Sequence, residues 1–567
     1  MSSFRPSGRT LVDLLDGAVA RFGDQPAVRL RHEDGTVTTW SYRELDRRSQ
    51  LAAWRLRSRG LQPGDRLLTW SPSGPELAAV YFGAMRAGVI FVPLDLHMTT
   101  DAIQRIADRS GALQLVIGTG RDAPDPAEAD LDHLPVVTTS DLCAEPGAAM
   151  PADWQAQVAS WERPVRDDVY LLIFTSGTTG TPKGVVLTHG NAVSGIDAFH
   201  LIVPEIEYRL VSLLPMSHLY AVGVELCLAL DLGADILYVR SRNPRVVFEA
   251  IREHRMSAMF VFPQILDLFW MAAEREVERR GKTEWFRRAR AIARRLPMGA
   301  RRLIFRGTVH ERLGGGLRLF VSAGAFLPPA VQQAWEDLGV VIMQGYGATE
   351  TGNGTCNSWN DHPCGTVGRP MPGVEMRIAD DGEVQFRGPT VTRGYWQDPE
   401  ATAAAFTEDG FYRTGDLGHL DASRRLVLHG RKRDMIVLPN SLNVFPEDVE
   451  NALRVAGIRD SVVLETDRGR IEAIVLAPTT LERVQEGGTS APVVGAFTPG
   501  SDLAGVRAEV DAAVKAANAT LAVHARVAAW RFWPDADFPR THTLKVKRDQ
   551  VRAWASVAAP LPVSERS

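Results

Sequence analysis

The stretch Thr175-Ser-Gly-Thr-Thr-Gly-Thr-Pro-Lys-Gly184 lies between two apolar, strand-like runs, Tyr170-Leu-Leu-Ile-Phe174 and Val185-Val-Leu187. Thr188-His-Gly-Asn191 follows and is suited to cap a helix. Hydroxyl side chains alternate with glycines that leave the backbone uncrowded. Such a loop can turn N–H groups and hydroxyls toward a polyphosphate, and Lys183 adds a positive charge. It is not a Walker A loop: the second glycine is not followed by Lys-Ser or Lys-Thr, and Pro182 breaks the spacing. A Gly/Thr-rich surface turn would explain a lone loop of this kind. The full ten-residue pattern, and the segments that follow it, carry more.

Outward from this loop, apolar β-rich runs alternate with helical patterns through most of the first 350 residues. The runs include Arg66 to Trp70, Val89 to Pro93, Leu113 to Ile117, Val211 to Leu214 and Ala258 to Phe262. Helical stretches such as Glu76 to Ala87 and Asp101 to Ser110 lie between them. This alternation predicts an α/β fold of mainly parallel sheets covered by helices. From Gly365 to Leu428 short strands and Gly/Pro/Asp turns predict a small antiparallel or barrel-like piece. After Arg433 a smaller α+β unit is expected, with a helix from Pro446 to Leu453. The expected division is therefore 1–432 and 433–567, with the barrel-like part at about 365–428. Thr479 to Ser501, rich in Gly, Thr and Pro, reads as a surface insertion.

A chain of 567 residues exceeds a single core. Apolar content of 45%, charged content of 23% and a net charge of −4 fit an ordinary globular protein and argue against nucleic acid as a partner. Cys143, Cys227, Cys356 and Cys364 are too few and too scattered for a disulfide framework. Asp361 and His362 between the last two lack the close pairs of a zinc site. Reduced thiols and no signal-peptide core at the N-terminus lead to a cytoplasmic expectation, with a peripheral contact at the inner membrane face kept open. Leu219 to Leu230 is too short to span a bilayer and reads as a buried helix. Arg287, Arg288, Arg290, Arg294, Arg295, Arg301, Arg302 and Arg306 interleave with Trp285, Phe286, Ala289, Ile292, Ala293 and Leu296. That spacing predicts an amphipathic basic helix: a solvated face on a packed helix, or a contact for anionic lipid or the phosphates of coenzyme A.

The glycine-rich loop resembles the phosphate loop of the adenylate-forming superfamily of acyl-CoA synthetases, luciferases and nonribosomal adenylation domains. Further segments resemble that family in its order. They are Leu214-Pro-Met-Ser-His218, Ser322-Ala-Gly-Ala-Phe326, Gln344-Gly-Tyr-Gly-Ala-Thr-Glu-Thr351, Tyr412-Arg-Thr-Gly-Asp416, Gly430-Arg-Lys-Arg-Asp434 and Pro539-Arg-Thr-His-Thr-Leu-Lys545. Ala323, Phe326 and Leu544 depart from the family pattern. The long region before Ser322 resembles long-chain fatty acyl-CoA synthetases.

The resemblance implies ATP, Mg2+ and coenzyme A, and it implies roles. Thr175, Ser176, Gly177, Thr178, Thr179, Gly180 and Lys183 would hold the β- and γ-phosphates. Glu350 would bind Mg2+, since a hard carboxylate oxygen suits a hard cation. Thr349 would contact the α-phosphate. Gln344, Gly345, Tyr346 and Gly347, with Gly324 and Ala325, would form the adenine side. Asp416 would take the ribose hydroxyls and Arg431 would be the second ribose contact. Lys545 would act in adenylation, with Lys547 as a competing candidate. His218 would line the junction of the acyl and pantetheine channels, although the sequence shows no acid partner for it. Met216, Leu219, Tyr220, Val224 and Phe262 would form the acyl wall. The C-terminal domain would swing about Arg433 between the two half-reactions, exchanging Lys545 for the face around Asn440 to Asn443. Ser441 stands where the family commonly has glycine, beside the pantetheine path.

The expected activity is an ATP-dependent fatty acyl-CoA synthetase for medium to long chains. The alternatives are an acyl-AMP ligase that loads an acyl carrier protein, and a catalytically silent scaffold. An oxidative luciferase would share the first half-reaction.

Overall fold

The computed structural model describes residues 4–120, 122–125, 127, 131, 133–147, 150–176, 182–241, 243–438, 442–458, 460–465, 470–476, 503–535, 537–540 and 546–557. The expected insertion from Thr479 to Ser501 lies outside them. The chain divides into two compact units. The larger comprises Met1–Ala379, Val384–Thr414 and Leu420–Val427. The smaller comprises Asp380–Glu383, Gly415–His419 and Leu428–Ser567.

The apolar runs of the larger unit become strands of helix-covered, mainly parallel sheets. Among the described residues one sheet has six strands, in the order Val136–Thr138, Gln114–Ile117, Arg66–Trp70, Ile90–Leu94, Val169–Ser176 and Pro182–Thr188. Its first five strands run parallel and the last is antiparallel to its neighbour. Every residue of Ile90–Leu94 is buried, as expected for a parallel strand covered on both faces. The two runs that flank the glycine-rich loop pair with each other, in register from Leu171↔Leu187 to Ser176↔Pro182. Thr188 caps the helix His189–Phe199 by accepting from the Asn191 N–H.

The second sheet has nine strands. Its centre is parallel: Pro26–Arg31, Asp235–Val239, Arg209–Ser212, Ala258–Val261, Leu319–Ser322 and Val341–Tyr346 lie side by side in that order. Trp335, Trp270, Phe320 and Phe305 fill the core beneath it. A separate four-stranded sheet, Glu375–Ile378, Glu383–Arg387, Tyr412–Leu420 and Leu426–Arg431, occupies the region expected to be barrel-like.

The run from Leu219 is buried but is not an ordinary helix: Tyr220–Leu228 is a π-helix that continues into Ala229–Asp231. Glu225 lies inside it, 2% exposed, and accepts a 2.7 Å hydrogen bond from Ser212. Burial pushes its carboxyl well above the usual range.

The arginine-rich segment forms the helices Thr283–Ala293 and Met298–Ile304. Its buried face is Phe286, Ala289 and Ala293, whereas Trp285 and Ile292 are exposed. The spacing of three and four residues from Phe286 sets that face and turns the other two outward. Much of the positive charge is matched within the unit. Arg290 and Arg294 meet the fully buried Asp337 at 3.2 and 2.8 Å, and Arg287 and Arg288 meet Glu284 at 2.7 and 2.6 Å. Arg301 and Arg302 donate to backbone carbonyls. Among the described residues no helix is long and apolar enough to cross a membrane.

The smaller unit is α+β. Ser461–Glu465 pairs antiparallel with Ile471–Val475, which pairs parallel with Val527–Phe532. The helices Pro446–Val455 and Leu503–Thr520 close its core through Val449, Leu453, Val510 and Val514.

Two histidines of the larger unit are buried in forms that must stay neutral. His189 Nδ1 accepts from the Leu11 N–H at 3.3 Å, and His310 Nε2 lies 2.7 Å from the Leu338 carbonyl. Burial lowers each from 6.5 to about 4. The unfolded chain therefore binds more protons between these values, and stability falls as pH drops from 6.5 toward 4. Urea unfolding should show a loss of about 2 kcal/mol per histidine between pH 7 and pH 5. His189→Asn, whose Oδ1 can take the Leu11 N–H, should flatten this slope by about one proton. An unchanged slope would show that His189 does not titrate with folding.

Candidate active site

The strand Val341–Tyr346 ends in a turn with no room for a side chain: a Cβ on Gly347 would lie 1.9 Å from the Gly352 carbonyl oxygen. The turn closes as the Ala348 N–H donates to Thr351 Oγ1 at 2.8 Å and the Thr351 N–H donates to the Ala348 carbonyl at 3.2 Å. Thr349 and Glu350 sit half-buried in it. The Glu350 carbonyl accepts from the Thr392 N–H at 2.7 Å.

Residues 392–396 form a strap along the strand that leaves the glycine-rich loop. The Val186 N–H donates to the Gly394 carbonyl, and the Trp396 N–H donates to the Gly184 carbonyl. From this strap Tyr395 donates its hydroxyl to Glu350 Oε1 at 3.0 Å. The Tyr412 hydroxyl lies 3.3 Å from that of Tyr395, and Lys183 Nζ stands 5.2 Å from the centre of the Tyr395 ring. Burial, and then the Glu350 carboxylate, hold both phenols well above their ordinary range, so both are neutral donors. Neither tyrosine has a spacing in the sequence that relates it to Glu350.

Ser322 ends its strand in direct register with Gln344 of the neighbouring strand. Gln344 Oε1 and Ser322 Oγ are buried and have no hydrogen-bond partner among the described residues, as fits groups kept for a polar ligand. Gly345 pairs with Cys356, and the Tyr346 ring lies 5.9 Å from Phe386. Gly324 is exposed at φ +86°, where a Cβ would come 3.0 Å from the Phe262 ring, and Ala325 follows half-buried.

His218 has an acid partner that the sequence did not reveal. Asp95, 2% exposed, places Oδ2 at 3.7 Å from His218 Nε2, an ion-pair separation. The same oxygen accepts from Ser217 Oγ at 3.0 Å, and Oδ1 accepts from the His97 N–H at 2.9 Å. Of the expected acyl wall, Met216 and Val224 are buried, whereas Leu219, Tyr220 and Phe262 are half-buried. The Tyr220 hydroxyl donates to the Val321 carbonyl at 2.7 Å.

In the smaller unit Arg431 Nε meets Asp416 Oδ1 at 2.7 Å, which brings together two residues expected to share a ribose. Asp416 is 6% exposed, and the neighbouring Gly415 N–H donates to Glu383. Gly177, Thr178, Thr179, Gly180, Asn440, Ser441 and Lys545 lie outside the described residues, as does the side chain of Ser176. Thr175 Oγ1 reaches the Lys183 carbonyl at 3.5 Å. Lys547 is described and exposed.

Among the described residues no group of three or more His, Cys, Asp or Glu side chains could hold a metal. A single carboxylate such as Glu350 would suit a cation that completes its shell with water and phosphate oxygens, which fits Mg2+.

The family of AMP-binding enzymes matches residues 15–396. The chain belongs to the AMP-binding enzyme family. It is an acid–thiol ligase of the adenylate-forming superfamily. It is 30% identical over 557 residues to the long-chain-fatty-acid–CoA ligase FadD15 of Mycobacterium bovis, covering 91% of each chain. A feruloyl-CoA synthase of Amycolatopsis is 28% identical, over 75% of this chain and 80% of its own. The fold is that of ATP-bound MatB from Rhodopseudomonas palustris, with a TM-score of 0.73, 22% identity, and 96% and 99% of the two chains covered.

Gly347→Ala is expected to force the Glu350 turn apart, at a stability cost of about 2 kcal/mol or more. Chemical unfolding measures it, and a wild-type midpoint would show that the turn relaxes around a methyl group.

Proposed function

We propose that the protein is an ATP-dependent, AMP-forming fatty acyl-CoA synthetase for medium to long chains. The observation that carries this is the 30% identity over 91% of the chain to a long-chain-fatty-acid–CoA ligase. A carboxylate is a poor acyl donor because its leaving group would be oxide. Attack on the α-phosphorus of ATP expels diphosphate and gives acyl-AMP, and the thiol of coenzyme A then displaces AMP at the carbonyl carbon.

Such phosphoryl chemistry depends mainly on positioning and charge stabilisation. Lys183 and the loop from Thr175 to Gly180 hold the β- and γ-phosphates. Thr349 contacts the α-phosphate. Gln344 to Gly347, with Gly324 and Ala325, receive adenine, and Asp416 with Arg431 receive ribose. Mg2+ held by Glu350 supplies charge neutralisation at the phosphates. Lys545 stabilises the charge that develops between carboxylate and α-phosphate, and His218 faces the acyl and thiol paths. In this assignment residues 1–432 are the adenylation domain and 433–567 the mobile domain that carries Lys545. The internal pairing of the arginine helix supports a packed, solvated role for it over a lipid contact.

The thiol of an acyl carrier protein is the second acceptor, an alternative kept open by Ser441, which stands where the family commonly has glycine beside the pantetheine path. Incubation with ATP, Mg2+ and a fatty-acid panel, with and without coenzyme A, separates these by product mass. AMP with acyl-CoA is expected, at best rates with medium to long chains. Persistent acyl-AMP despite coenzyme A points to the carrier protein, preference for acetate or an aromatic acid replaces the fatty-acid assignment, and no turnover identifies a scaffold.

Lys545→Ala should slow acyl-AMP formation by about 100-fold or more, as loss of one charge-stabilising donor does. Thioester formation from supplied acyl-AMP should be largely spared. Equal damage to both steps would remove this role from Lys545, and a larger effect of Lys547→Ala would transfer it.

A further inference from the structure

We propose that Tyr395 is a positioning residue that aims the Glu350 carboxylate at a divalent cation while its ring carries Lys183. This rests on the assignment of Glu350 as the Mg2+ ligand.

The Tyr395 hydroxyl gives its proton to Glu350 Oε1 at 3.0 Å. A neutral donor fixes the carboxylate without cancelling its charge, and it leaves Oε2 and the remaining lone pairs open. The Tyr412 hydroxyl lies 3.3 Å from that of Tyr395, so the two phenols form a hydroxyl pair beside the carboxylate.

The other side of Tyr395 holds a cation. Lys183 Nζ stands 5.2 Å from the ring centre. The ring accepts the ammonium on its face, and the hydroxyl at the ring's far end engages the carboxylate. The ring itself is held by the Tyr395 N–H, which donates to Thr402 Oγ1 at 2.9 Å, and by the bridge Val185↔Tyr395. Tyr395 therefore spans the strand that leaves the glycine-rich loop and the turn that carries Glu350.

Isothermal titration of the full-length protein with ATP, once in Mg2+ and once in EDTA, tests this without turnover. In wild type Mg2+ should tighten ATP binding. Tyr395→Phe keeps the ring under Lys183 and removes the hydroxyl. Its affinity without Mg2+ should stay within about twofold of wild type, and the gain from Mg2+ should shrink about tenfold, as loss of a hydrogen bond to a charged group does. Tyr395→Leu removes the ring as well and should also weaken ATP binding in EDTA. A Mg2+ gain unchanged in Tyr395→Phe, or equal losses in Mg2+ and EDTA, would overturn the positioning role. Wild type that binds ATP without any gain from Mg2+ would overturn both this role and the metal assignment; wild type that binds no ATP would overturn the proposed function itself. If Tyr395→Phe does not fold, Tyr412→Phe carries the same test with an expected loss of about threefold in the Mg2+ gain, and no loss there overturns the hydroxyl pair.

Discussion

The site of the larger unit depends on a space that only glycine leaves. The Gly352 carbonyl oxygen occupies the position that a Cβ on Gly347 would need. The chain can therefore reverse at the end of the strand Val341–Tyr346 and bring Thr349 and Glu350 to the carboxyl edge of a parallel sheet. Ligands of open α/β sheets gather at that edge, where strand ends and helix starts leave a crevice. Once the turn is closed, the Glu350 carbonyl takes the Thr392 N–H, and the strap from 392 to 396 is fixed against the strand Pro182–Thr188. One constraint at a glycine thus ties the strand that leaves the glycine-rich loop to the turn that carries the acidic side chain.

Charge is distributed by the same economy. Asp337 is fully buried, and Arg290 and Arg294 both reach it. Removing one partner of such a group strands the other, so the arginines are tied to the core more firmly than their surface position suggests. Glu225 is handled differently: it has no cation, and burial favours its protonated form beside Ser212. At Glu350 the partners are phenols, which orient a carboxylate without discharging it. Three buried or half-buried acids therefore have three environments, and among the described residues Glu350 is held by phenols and not by a cation.

Much of this was legible in the sequence because it is local. Continuous apolar runs placed the parallel strands to within about two residues, and the Thr188 cap and the helix from Pro446 followed from short-range chemistry. The ordered motifs singled out Glu350, Asp416 and Arg431, and the last two meet at 2.7 Å. What stayed hidden is non-local or without a period. Asp95 lies more than a hundred residues before His218, and nothing in the run Pro93-Leu-Asp95 announces their encounter. Tyr395 and Tyr412 look like aromatic residues of ordinary turns until the strap brings them to Glu350. The apolar run from Tyr220 to Leu228 has no polar face to betray its turn, so a π-helix and an α-helix are indistinguishable in it. The buried face of the arginine helix was blurred for a related reason: Trp285 and Ile292 are apolar but lie beside the buried stripe, and hydrophobicity alone does not separate stripe from flank.

In the smaller unit the fold itself brings together the two residues expected to share a ribose. Asp416 is buried, and a buried carboxylate is costly without a charged partner. Arg431 supplies that partner from within the same unit, since its Nε lies against Oδ1. A carboxylate accepts through several lone pairs, and a diol is the kind of ligand that supplies adjacent hydroxyls. Glu447 lies nearby behind Gly430, with its carboxyl raised mainly by burial, against the lowering effect of Arg548, and further by Glu450, Asp416 and Asp434. The guanidinium of Arg431 thus stands against Asp416, while Glu447 is set back behind a glycine.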